Sequence, residues 1–164
     1  MVVDVTECRI EQPLDYCIQK PFYSGRSKHH CMKYEVGVEI LTGLFVWFSG
    51  AWPGSFNDLT IIRRSGLLDK LRLGERIMAD KIYIGERQIL TAFKNARGIR
   101  QLSINRAVYR RRIIVENSLN RIKTFNFTQQ EWRHDLKLHP LAFKAIINIL
   151  NIDLTFRPVR KNCS

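Results

Sequence analysis

At 164 residues, 45% hydrophobic and 10% aromatic, the chain is expected to form one packed domain spanning 1–164, which excludes a solvated disordered tail. Its 27 Lys and Arg against 15 Asp and Glu leave a formal charge of +12, more than solubility requires, so a polyanion is the first partner to consider. The longest nearly apolar run, 40–52, is too short to span a bilayer, and no basic start followed by an apolar block marks a signal peptide. A soluble, intracellular protein with no membrane partner is therefore expected.

In chain order, Val2-Val3-Asp4-Val5-Thr6 reads as a strand carrying an acid in an apolar run. Residues 31–41 alternate, with Tyr34, Val36, Val38 and Ile40 on one face against Lys33, Glu35 and Glu39 on the other, a half-buried strand. Thr42-Gly43 turns it into a hairpin with the two-faced apolar run 44–52. Pro53-Gly54-Ser55-Phe56-Asn57-Asp58 then breaks the sheet, and a helix through Leu59, Ile62, Leu67, Leu68 and Leu71 is predicted to stop at Gly74. A short strand ends at Asp80. Helices are predicted over 85–93, 106–125 and 140–152, the last with Pro140 in its first turn. A hairpin followed by a helical crossover to a parallel strand gives an α/β fold, a mixed sheet covered by helices.

Asp4, Asp80 and Glu116 are the acids of interest, because carboxylates beside apolar strands need a partner. At 100° per residue, Arg112, Asn120 and Lys123 all fall within about 40° of Glu116, while Ile114, Val115, Leu119, Ile122 and Phe125 form the opposite, core-facing arc. An acid flanked by Arg, Asn and Lys on one ridge suits a metal-binding carboxylate beside phosphate contacts; a solvated face of spaced ion pairs is the plainer alternative. Mg²⁺ takes hard oxygen ligands and keeps several waters, so two or three carboxylates can hold a pair of ions. Arg110-Arg111-Arg112 with Arg26, Lys28 and Lys33 are candidates to line a phosphate groove. Cys8, Cys17, Cys31 and Cys163 lack the paired spacing of a zinc site and read as reduced thiols, and no pair of histidines has the helical spacing of one. Trp47, Trp52 and Trp132 read as packing residues rather than base platforms.

Several ordered motifs together carry a resemblance: Val3-Asp4-Val5-Thr6-Glu7, Tyr23-Ser24-Gly25-Arg26-Ser27-Lys28-His29-His30, Trp52-Pro53-Gly54-Ser55-Phe56-Asn57-Asp58, Met78-Ala79-Asp80-Lys81-Ile82-Tyr83-Ile84-Gly85, Val115-Glu116-Asn117 with Arg121-Ile122-Lys123, and Trp132-Arg133-His134-Asp135-Leu136. Over nearly its whole length the chain resembles the DDE superfamily endonuclease domain of transposases, of the type-4 class allied to the Harbinger group. The resemblance implies an RNase H-like fold, Asp4, Asp80 and Glu116 as catalytic metal ligands, and a pair of Mg²⁺ or Mn²⁺ ions. The 35 residues between Asp80 and Glu116 fit the spacing of the class. Asp58 falls in a class motif and is read as a helix cap, with metal ligand as the alternative. Arg26, Lys28, Arg110, Arg112, Asn120 and Lys123 become the DNA contacts. The substrate implied is DNA, transposon ends and target alike, cut and rejoined in the nucleus. A non-catalytic DNA-binding descendant is the rival reading. Two departures are visible: Ile82 stands where the class usually has Gly, and the first acid lies four positions into the chain. An upstream DNA-binding segment is expected to be missing, and a homodimer or a separate DNA-binding partner is expected beside the DNA.

Overall fold

The computed structural model describes residues 1–158; Cys163 and the end of the expected 1–164 span lie outside the described residues. The described strands are β1 (Val2–Arg9), β2 (Tyr23–Ser24), β3 (His29–Val38), β4 (Phe45–Pro53), β5 (Ile77–Met78) and β6 (Ile89–Leu90). The helices are α1 (Tyr16–Phe22), α2 (Asp58–Arg64), α3 (Ile99–Ile122), α4 (Asn126–Gln129) and α5 (His139–Phe156). The strands form a mixed sheet in the order β2-β3-β1-β5-β6, with β4 paired to β3. This is the RNase H-like α/β arrangement that the sequence resemblance implies. No described helix is long and apolar enough to cross a membrane.

Alternation along β1 sends Val2 to one face and Val3 to the other, and each face buries its own core. On the first, Val2, Cys8, Tyr34, Val36 and Val38 meet Ile114, Val115, Leu119 and Ile122 of α3 and Phe143, Ile147 and Leu150 of α5. On the second, Val3 packs with Ile62, Leu67, Ile77, Tyr83 and Ile89. The core-facing arc predicted for α3 is therefore the one buried. Phe125 lies past the helix end, half-buried against the same cluster.

Several predicted elements are redrawn by this packing. β3 is buried along both faces rather than half-buried, because β1 and β4 flank it and the segment around α2 covers its second face; Lys33 and Glu35 are only 5% and 0% exposed. The helix predicted through Leu71 stops at Ser65, where Gly66 takes a left-handed φ of 77°, and resumes as a 3-10 turn over Leu68–Lys70. No helix forms over 85–93. Gly85 breaks the chain there, and Ile89 is spent on a strand parallel to β5 that closes the second core. α3 begins before the predicted 106, and α5 runs past 152 with Pro140 in its first turn.

Candidate active site

The short parallel pairing of β1 with β5 decides where the acids fall. β1 and β5 run parallel with Val2 opposite Met78, and two residues on from that pair stand Asp4, within β1, and Asp80, just past the end of β5. Asp80 caps the 3-10 turn Lys81–Tyr83, accepting from the Lys81 N–H at 2.6 Å, while β1 continues alone to Arg9 beside β3. Parting strands of this kind open a crevice at their carboxyl ends. A cleft of about 540 Å³ lies here, lined among others by Asp4, Glu7, Arg26, Asp58, Asp80, Arg112 and Lys123.

Asp58 reaches the cleft from the second face. The motif before it makes a close approach: a Cβ on Gly54 would sit 2.3 Å from the Phe22 carbonyl oxygen and 2.8 Å from that of Cys31. Asn57, not Asp58, is the cap of α2, its side chain accepting from the Thr60 N–H at 2.7 Å. The capping role expected of Asp58 therefore belongs to its neighbour, and its carboxylate is free to face the cleft. Lys33, expected in a phosphate groove, is instead buried beneath, donating to the Phe56 carbonyl at 2.8 Å and pairing with Glu7 at 3.2 Å.

Burial raises the carboxyl of Asp4 above its ordinary range; the Val5 N–H and the Arg112 charge oppose this, while the charges of Asp58 and Asp80 add to it. Burial likewise raises Asp58, against the pull of Lys33 and Arg26 and with the repulsion of Glu7 and Asp80. For Glu7, burial also pushes upward, but hydrogen bonds from Ser27 and Lys33 and the nearby cations outweigh it and hold the group low.

Glu116 sits beside the cleft rather than in it, its side chain 56% exposed. Arg112 connects it to the rest, with Nη1 donating to Asp80 Oδ1 at 2.8 Å and Nη2 lying 3.7 Å from Glu116 Oε1. Among the described residues, these acids do not bring three ligand oxygens within 4.8 Å of one another. Arg26 and Lys123 line the cleft; Lys28, Arg110 and Asn120 are exposed and do not. Ile82, in place of the expected glycine, lines the cleft from the 3-10 turn without a left-handed φ. Glu7 and Ser27 belong to motifs read from the sequence, yet their place on the cleft wall depends on the β1–β3 register and carries no local signal.

The cleft's carboxylates offer only hard oxygen donors, they repel one another, and cationic side chains flank them. That donor set fits Mg²⁺ or Mn²⁺. A larger hollow of about 740 Å³, lined by Arg9, Phe127, Trp132, Arg133 and His134, carries the single acid Glu131 and so lacks the means for such chemistry.

A family model described as a DDE superfamily endonuclease matches residues 3–152. A probable transposase for insertion sequence element IS702 from Microchaete diplosiphon is 30% identical over 165 residues, covering 96% of this chain and 58% of the relative. The chain thus spans 58% of the length of the curated relative it matches. No solved structure gives a match. On the family match and the relative together, the chain belongs to the DDE superfamily endonucleases.

Proposed function

We infer that the domain is a transposase-type, divalent-metal-dependent DNA endonuclease and strand transferase, with Asp4, Asp80 and Glu116 as its metal-holding acids and Asp58 available beside them. The observation that carries this is the β1–β5 register, which sets Asp4 and Asp80 at the mouth of one cleft with Asp58 facing them. Divalent ions, when bound, supply the charge that stabilises the attacking and leaving oxygens of an in-line displacement. The chain's own cations do the positioning. Arg26 and Lys123 on the cleft wall bind the DNA backbone, and Arg112 acts as a movable counter-charge. In the described state its guanidinium neutralises Asp80 and approaches Glu116. Released from that pairing, the guanidinium could turn to a phosphate oxygen, for which its planar fork is suited.

A second reading, a DNA-binding protein without cleavage, is favoured by that same pairing, since Arg112 already neutralises Asp80 and lies beside Glu116. Nicking of supercoiled plasmid separates the two. The endonuclease reading expects Mg²⁺- or Mn²⁺-dependent nicking by the wild type that Glu116→Gln abolishes. Glu116 is exposed, so its replacement leaves the fold intact. Nicking by the variant at the wild-type rate removes the third acid from the mechanism, and salt-sensitive DNA binding with no nicking by either protein selects the second reading.

A further inference from the structure

Three residues beyond Asp4 on β1, Glu7 meets two side chains that phosphodiester cleavage does not use. Nε2 of His29 lies 3.8 Å from Glu7 Oε2, and the ligand atoms of Glu7, His29 and Cys31 all fall within 4.8 Å of one another. The antiparallel register assembles them: Glu7 pairs with Lys33 and Arg9 with Cys31, and His29 lies two residues before Cys31, on the same face of β3.

The surroundings orient each donor. His29 Nδ1 lies 2.9 Å from the Ser27 carbonyl oxygen and donates to it, which turns Nε2 toward the carboxylate. A metal-ligating histidine is held in this way, its second ring nitrogen tied to a carbonyl. The Ser27 hydroxyl donates to Glu7 Oε2, fixing that carboxylate, while Lys33 and the Ser24 hydroxyl engage Oε1. Cys31 is fully buried, so its sulfur is shielded from bulk water. Glu7 already engages both neighbours, hydrogen-bonded to the Cys31 thiol and 3.8 Å from His29 Nε2, so a bound cation would replace contacts that hold the three donors together.

We propose that Glu7, His29 and Cys31 form a site for a thiophilic divalent cation, Zn²⁺ first, separate from the all-oxygen cleft. The mixed O, N and S donor set suits zinc and is a poor match to Mg²⁺. Zinc bonds of about 2.0–2.3 Å put tetrahedral ligand atoms roughly 3.5 Å apart, so an inward shift of about 1 Å closes the site. On binding, the Sγ–H bond of Cys31 breaks, its proton leaves to solvent and an Sγ–metal bond forms; no electrons are transferred. Glu7 and Ser27 form part of the cleft wall, so water from the cleft could complete the coordination.

Titration of the purified chain with Co²⁺ alone tests this. The thiolate-to-cobalt charge-transfer absorption is expected in the wild type and in Asp4→Asn, is lost in Cys31→Ser, and in His29→Gln requires more than about tenfold higher Co²⁺, the loss seen even for outer-shell partners. Zn²⁺ at about 100 times its dissociation constant should raise the wild-type Tm by roughly 5–10 °C. His29 is half-exposed, so His29→Gln keeps the test decisive if Cys31→Ser folds poorly. Absence of the charge-transfer band in the wild type, or a band unchanged in His29→Gln, overturns the site.

Discussion

Asp4 is a carboxyl group whose surroundings favour the proton: burial raises it first, and the charges of Asp58 and Asp80 add to the effect. An acid with a folded pKa above its unfolded one destabilises the fold once ionised. That destabilisation is absent below the unfolded value, grows as pH rises, and is complete above the folded value. Asp4→Asn is therefore expected to raise the Tm of the metal-free protein at neutral pH, with the difference closing as pH falls toward the ordinary carboxyl value of 3.8. On the proposed function Mn²⁺ would relieve the same repulsion, so it should raise the wild-type Tm and leave that of Asp4→Asn unmoved. Thermal melts across pH, with and without Mn²⁺, read both effects. His139 shows the opposite sign of linkage. Burial lowers its pKa to about 4, so the stability tied to its neutral form is full above 6.5 and is lost as pH falls from there to about 4. The Tyr34 hydroxyl and His139 Nδ1, 2.6 Å apart, share a hydrogen bond across the β3–α5 contact. Tyr34→Phe leaves that buried nitrogen unpaired and should cost about 1–3 kcal/mol in urea unfolding.

At the scale of elements, the site depends on β1 and β5 being parallel and on the 54–58 segment pressing against β3. Gly54→Ala pushes a methyl into two backbone carbonyls that cannot move aside, and is expected to cost about 1–3 kcal/mol in urea unfolding and to weaken metal binding by displacing Asp58. An unchanged midpoint would show that the segment yields freely. Much of this level was legible in the sequence. The hairpin partners, the strand returning at Ile77 and the buried arc of α3 all follow from period and turn chemistry. What escaped depends on contacts distant in sequence. Nothing local shows that Lys33 and Glu35 would be buried, because the cover over them comes from the chain around α2. Nor does the pattern of 85–93 separate a short helix from a strand recruited by β5. For the site, the motifs named Asp4, Asp58 and Asp80, but their meeting in one cleft needed the register of Val2 with Met78. The meeting of Glu7, His29 and Cys31 likewise needed the pairing of β1 with β3.

Over the whole molecule, a charge of +12 accompanies a cleft walled by Asp4, Glu7, Asp58 and Asp80, so on the proposed function DNA would be drawn by the surface and met by the cleft. Duplex binding should weaken steeply with salt, the slope of log K against log salt being about −0.9 per phosphate contacted; Lys123→Ala should reduce that slope by roughly 1, whereas an equal slope would place Lys123 outside the interface. The central claim, that these acids hold divalent ions, is reached most directly by anomalous scattering from crystals of the protein grown with Mn²⁺. The account predicts a peak between the Asp4 and Asp80 carboxylates, with Arg112 turned away from Asp80. A cleft without anomalous signal at saturating Mn²⁺, with the Arg112–Asp80 pair still closed, would contradict it.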